Sequence, residues 1–267
     1  MRTLSHGRCA IAPRCSTQPQ AQRSGIPIGR RLSFRAEVGA DPGRLRIAFT
    51  TKPWNLHEVD SECVDAVGEA AKLCEDLGHY VEESSPEIDQ AALGKATWVI
   101  TTAQTRARLP FVEKVLGRPV TTEDFEPVTW AYLETALQFS ASDYAEAINV
   151  LHFTGRVVGR FFTGYDILLT PTMCTPPHKL GQVSMMRTDI EAFRDVVLGD
   201  VAFTQPFNAS GNPAMSVPLH WSAEGLQLGV QLAAPFGDEA KLFRLAAQLE
   251  TARPWAIVDQ RKSSSIL

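Results

Sequence analysis

The spacing of apolar positions changes several times along this chain, and each change marks an element. Leu45, Ile47, Ala48 and Phe49 form a short apolar run closed by Lys52-Pro53, which predicts a buried strand. From Val64 the spacing becomes helical: Val64, Val67, Ala70, Ala71, Leu73, Cys74 and Leu77 recur at three and four residues. Asp60 or Ser61 serves as N-cap there and Gly78 as the stop. Tyr80-Val81 then reads as a second strand, so the chain opens β-α-β and predicts an α/β layer architecture.

Helical spacing returns over Asp89–Leu109, where Pro110 should end it, and over Thr121–Phe139, which opens on the acidic turn Thr122-Glu123-Asp124. It returns again over Ser142–Phe162, and the aromatic side chains of these segments (Trp98, Trp130, Phe139, Phe153) are expected in the core. Tyr165 to Met173 reads as a strand running into a loop rich in Pro and Thr at 171–177. Residues 188–201 are weakly helical, and Phe203–Pro218 is dense in turn formers. Residues 214–221 and 226–234 read as two strands joined at Ser222–Gly225. Asp238–Thr251 is a closing helix with Asp238 as its cap.

The chain has 267 residues, 44% of them hydrophobic and 21% charged, and no apolar run reaches the ~18–20 residues of a membrane helix. Its net charge of -4 is unevenly spread. Residues 1–35 hold seven Arg and no acid, leaving 19 basic against 30 acidic residues in the rest. A body that acidic is a poor partner for phosphate, so nucleic-acid binding is excluded. Pro13, Pro19, Gly25, Pro27 and Gly29 interrupt the Arg-rich start, which therefore lacks the amphipathic stripe of a transit peptide and reads as a leader.

The five Cys (9, 15, 63, 74, 174) are odd in number and irregularly spaced, as for free thiols in a reducing cytoplasm. Cys174 and His178 have i,i+4 spacing, but Pro176 and Pro177 forbid the helix that would converge them, so no metal site is expected. Ser216 and His220 invite a Ser-His reading, yet neither Ser210 nor Ser216 lies in a G-x-S-x-G elbow. The better reading gives Asn208, Ser210 and Asn212 to turn stabilisation, and leaves His152 and His178 as single histidines without a visible partner.

The run Phe203-Thr-Gln-Pro-Phe-Asn-Ala-Ser-Gly-Asn-Pro-Ala-Met-Ser-Val-Pro218 resembles the P-F-N-x-[TS]-G-N-P-A-x-S-x-P segment of the amidase signature family. Gly225–Leu232, Asp238–Glu250, Tyr165–Thr172 and Asp41–Ala48 are similar to that family's other segments, in the same order. Thr175-Pro-Pro-His-Lys-Leu-Gly181 matches its subgroup of aminohexanoate-type amide hydrolases. The resemblance covers about residues 33–256, with 1–32 as a leader and 257–267 as a tail. It implies an α/β/α sandwich with a mixed sheet flanked by helices, hydrolysis of carboxamide C–N bonds in a small-molecule substrate, and no cofactor. It also implies a substrate wall at Thr172, Met173, Cys174, Gln205 and Asn208.

One part of the pattern is missing. The family's nucleophilic Ser and second Ser lie in a G-G-S-S-G-G-S segment, with a Lys further toward the N-terminus, and no such segment occurs in these 267 residues. The expectation is a C-terminal part of an amidase with no catalytic residue of its own, inactive alone and associating, as a homodimer for example, through exposed sheet edges. The alternative is a non-catalytic binding protein.

Overall fold

A computed structural model describes residues 34–255, so the expected leader and tail, with Cys9 and Cys15, lie outside the described residues. Five strands form one mixed sheet: β1 (Arg46–Phe49), β2 (Tyr80–Glu83), β3 (Ile167–Pro171), β4 (Ala214–Trp221) and β5 (Gln227–Ala233). Their order is β2-β1-β3-β5-β4. β1 runs parallel to both β2 and β3, and β5 is antiparallel to both β3 and β4.

Helix α1 (Phe34–Glu37) precedes β1, and α2 (Ser61–Asp76) joins β1 to β2. The expected caps of α2 are both present: the Asp60 carboxylate accepts from Glu62 N at 2.8 Å, and Gly78 turns the chain at φ +92°. One face of the sheet, with Ile47, Ile167, Leu169, Val230 and Leu232, packs on α2 and on α9 (Glu239–Ala252). The other face carries Ala48, Leu168 and Ala233 against Val158 and Phe162 at the end of α6 (Ala141–Phe161) and Phe207 of α8 (Gln205–Ser210). The central strand β3 is buried along its whole length, which is why it reads as a continuous apolar run.

The helical middle differs from its sequence reading wherever proline intervenes. α3 (Gln90–Arg106) ends as expected, but Pro110 then sits in the first turn of α4 (Leu109–Leu116), where its missing N–H costs nothing. Of Thr121–Phe139 only α5 (Pro127–Thr135) is α-helical, flanked by two short 3-10 turns. α6 begins earlier than expected, because Ser140 and Asp143 close a capping box. The weak helical signal at 188–201 becomes α7 (Ile190–Asp200). The turn-rich segment holds α8, with Pro206 in its first turn and Gly211 at φ +74° as its stop. Asp238 does not cap α9 with its side chain; its carboxylate pairs with Lys241 at 2.9 Å. The four aromatics are not central core: Trp98, Trp130 and Phe139 are half-buried and Phe153 is 53% exposed.

Asp166 ties the layers together. Its carboxylate accepts from Arg46 N at 2.9 Å and from Lys241 Nζ at 2.8 Å, joining β1, β3 and α9. Burial alone would raise its pKa, but these donors outweigh burial and hold it below the usual carboxylate value. A depressed folded pKa gives stability that is present above the unfolded value of about 3.9 and lost as pH falls through the folded one. In urea titrations across acid pH, the stability gap between the native chain and Asp166→Asn should therefore narrow below about pH 4. A gap that did not change with pH would contradict this role.

Candidate functional site

Four side chains on the α6/α8 face of the sheet form a polar row at the carboxyl end of β3. Thr170, Gln231 and Ser216 lie opposite one another on β3, β5 and β4. Gln231, 4% exposed, donates through Nε2 to Thr170 Oγ1 and to Phe203 O, both at 2.9 Å. Thr172 continues the row: its N–H donates to Gly229 O at 3.0 Å, and its hydroxyl lies 2.7 Å from that of Ser216. Gly229 makes room for this pair, since a Cβ there would collide with Ser216 Oγ and come within 2.8 Å of Thr172 Oγ1. Ser216 is exposed and Thr172 half-buried, so the row ends at the surface.

The other expected wall residues fall around this row. Cys174 is buried against Ala202 and Phe203, and its carbonyl accepts from Asp60 N at 2.8 Å. Burial, reinforced by Asp200, pushes its thiol up to about 11, so it stays protonated at neutral pH and is no nucleophile. Burial pushes the Cys63 and Cys74 thiols up to about 12, and all three remain free. Met173 is half-buried. Gln205 is buried and its carbonyl oxygen accepts from Gln90 Nε2 at 2.6 Å, whereas Asn208, on the same short helix, is exposed. Trp54, from the loop after β1, closes the group by meeting Phe203 and Phe207 edge-on at 6.2 and 6.3 Å.

Several sequence readings need correction. His178 has a partner after all, Asp200 at 2.7 Å, brought near from 22 residues away by α7. Of the three expected turn stabilisers only Asn212 bonds to backbone, and it reaches Ala234 O on β5's exit rather than its own turn. Ser210 Oγ is buried with no partner among the described residues. Ser216 and His220 do not cooperate: the serine bonds Thr172, and the imidazole lies 3.3 Å from Glu69. Among the described residues no group of three His, Cys, Asp or Glu side chains is placed to hold a metal ion. No helix there is long and apolar enough to cross a membrane. Gln90 escaped the sequence reading, and Gly229 and Gln231, though inside the matched segment Gly225–Leu232, were given no role there, because their partners lie on other elements.

A mixed sheet between helical layers, with a polar row at the carboxyl end of a central strand, is an α/β layer framework rather than a barrel or a helical bundle. The family model for amidases matches residues 9–243, and the chain belongs to the amidase signature family. It is similar to the 6-aminohexanoate-cyclic-dimer hydrolase of Paenarthrobacter ureafaciens, 34% identical over 227 residues, which are 82% of this chain and 46% of that protein. It is also similar to a putative amidase AmiC of Mycobacterium leprae, 35% identical over 232 residues, covering 80% and 46%. A solved 6-aminohexanoate cyclic dimer hydrolase superposes with a TM-score of 0.76 at 30% identity, over 85% of this chain and 49% of that one. The chain thus spans about half the length of the curated relatives it matches.

Proposed function

We propose that this chain forms one wall of an amidase site that hydrolyses carboxamide C–N bonds of a small-molecule substrate. Thr172, Met173, Cys174, Gln205 and Asn208 face the substrate in this reading, and a Lys and two Ser come from a polypeptide carrying the Gly/Ser-rich segment. The observation that carries it is the polar row from Gln231 to the Thr172–Ser216 pair at the carboxyl end of β3. Ligands of open α/β sheets bind outside the carboxyl ends of strands. The name of the hydrolase relative suggests aminohexanoate amides as the first substrates to try.

The test is reconstitution. The 267-residue chain is mixed with a polypeptide supplying the Gly/Ser-rich segment of a relative, and amine release is followed. Turnover that a serine-directed fluorophosphonate blocks supports the reading. Amide binding without turnover in the mixture supports instead a non-catalytic binding protein, the second reading, which the absence of the family's Lys and Ser motif from the sequence favours.

We place the protein in the cytoplasm, in keeping with its three buried free thiols. We also assign self-association to the sheet edge at β4. The opposite edge, β2, is guarded by Glu82 and Glu83, while β4 presents exposed Ala214, Ser216 and Trp221. A dimer is expected in size-exclusion chromatography. A sharp monomer peak that melts cooperatively above ~60 °C would count against it.

A further inference from the structure

Behind α8, away from the polar row, a cavity of about 580 Å³ opens between α6, α8 and the exit of β5. Its lining holds Arg156 and His152, with Ser210 and Asn212 as the other polar side chains, and no carboxylate, although acids outnumber bases in the chain. His152 and Arg156 are four residues apart on α6 and so share one helix face. Among the described residues Arg156 forms no ion pair; its guanidinium lies 5.7 Å from the Phe153 ring. Ser210 lines the same cavity, but its hydroxyl oxygen is shielded from solvent and unbonded among the described residues. The remaining walls are Asn212, whose amide donates to Ala234 O at 2.7 Å, and apolar groups that include Phe162, 8% exposed, and Phe236, 66% exposed. Gly159 faces open space, leaving a notch beside the arginine.

We propose that this cavity binds an aliphatic carboxylate, with Arg156 and His152 donating to the carboxylate and the alkyl chain lying along Phe162 and Phe236. A guanidinium matches a planar carboxylate with two parallel N–H donors, and no carboxylate lines this cavity to occupy them, Asp89 and Glu146 lying with the exposed Arg156 along the neighbouring cavity. The same lining repels an ammonium end. The cavity shares no lining residue with the polar row, so the inference stands apart from the amidase reading and concerns a preference for a carboxylate over an amine.

The experiment is a titration of the isotope-labelled 267-residue chain with hexanoate, hexanamide or hexylamine, followed on the backbone amides of Gly155 and Gly159. Hexanoate is expected to shift them saturably, hexanamide weakly and hexylamine not at all. Arg156→Ala should weaken hexanoate about tenfold or more, since a hydrogen bond to a charged group is lost. Arg156→Lys, which keeps the charge but not the fork, should fall between. Gly159→Leu fills the notch on an exposed helical position that favours leucine over glycine, so it should abolish binding without loss of fold. Inorganic phosphate should fail to displace hexanoate, because it lacks the apolar part. Undiminished hexanoate binding by Arg156→Ala or by Gly159→Leu, hexylamine binding as tight as hexanoate, or displacement by phosphate would each overturn the proposal. The readout is binding, so failed reconstitution of hydrolysis leaves it untouched, and the converse holds.

Discussion

Aliphatic and aryl amides incubated with the purified 267-residue chain alone are expected to hydrolyse at the rate of a protein-free blank. Enzymes of ordinary power accelerate their reactions by about 10⁶-fold or more, so the expected deficit is the largest effect any measurement on this chain can show. The reason is physical. Cleaving a carboxamide requires an activated nucleophile, a base within reach of it, and donors prearranged around the developing oxyanion. Each local substitute is already engaged or unsuited. The Ser216 hydroxyl is bonded to Thr172, and His220, the nearest histidine in sequence, turns to Glu69. Cys174 is 1% exposed with its thiol pushed up to about 11, and His178 is paired with Asp200. Ser210 has a free hydroxyl but no base bonded to it. Even a site stripped of its triad keeps some catalysis through its oxyanion hole, about 10³- to 10⁴-fold, but the glycine-rich loop that would build that hole is absent from these residues as well. The measurement is amine or ammonia release over days, with and without a fluorophosphonate. Inhibitor-sensitive turnover by the chain alone would defeat the account.

Replacing Gln231 with alanine should destabilise the chain by about 3 kcal/mol, the sum of an unsatisfied buried acceptor and a small cavity. The Gln231 amide is the only side chain seen to donate to the Phe203 carbonyl among the described residues, and Phe203 is fully buried. It therefore couples β5 to the segment that leads into α8, as well as to Thr170 on β3. Gln231→Glu is the informative companion, because a carboxylate cannot donate to that carbonyl and would be buried with its charge. Both variants should unfold at lower urea concentration with an unchanged slope, Glu more than Ala at neutral pH. Loss of less than about 1 kcal/mol in Gln231→Ala would mean that the segment at 201–205 is held by its packing rather than by this amide.

How much could be read without coordinates differs from element to element. The strands at 46–49, 167–171, 214–221 and 227–233 were legible, because β-branched and apolar runs bounded by Pro and Gly carry a local signal. So were α2 and α9, whose apolar stripes face the sheet. The proline-punctuated segments were not: Pro110 read as a stop, Pro127 fell inside one expected helix and Pro206 in an expected run of turns, yet each opened a new helix. A proline looks the same from both sides, and the choice depends on where the next segment packs.

The sequence by itself determined the α/β class and the family, since each is written in contiguous residues whose local chemistry suffices. The arrangement of the site was decided by tertiary structure alone. Thr172 meets Ser216 from 44 residues away, Gln231 meets Phe203 from 28, and Gln90 meets Gln205 from 115. Such contacts are fixed by strand order and register, here β3 beside β5 and β5 beside β4, and no local spacing encodes which strands become neighbours.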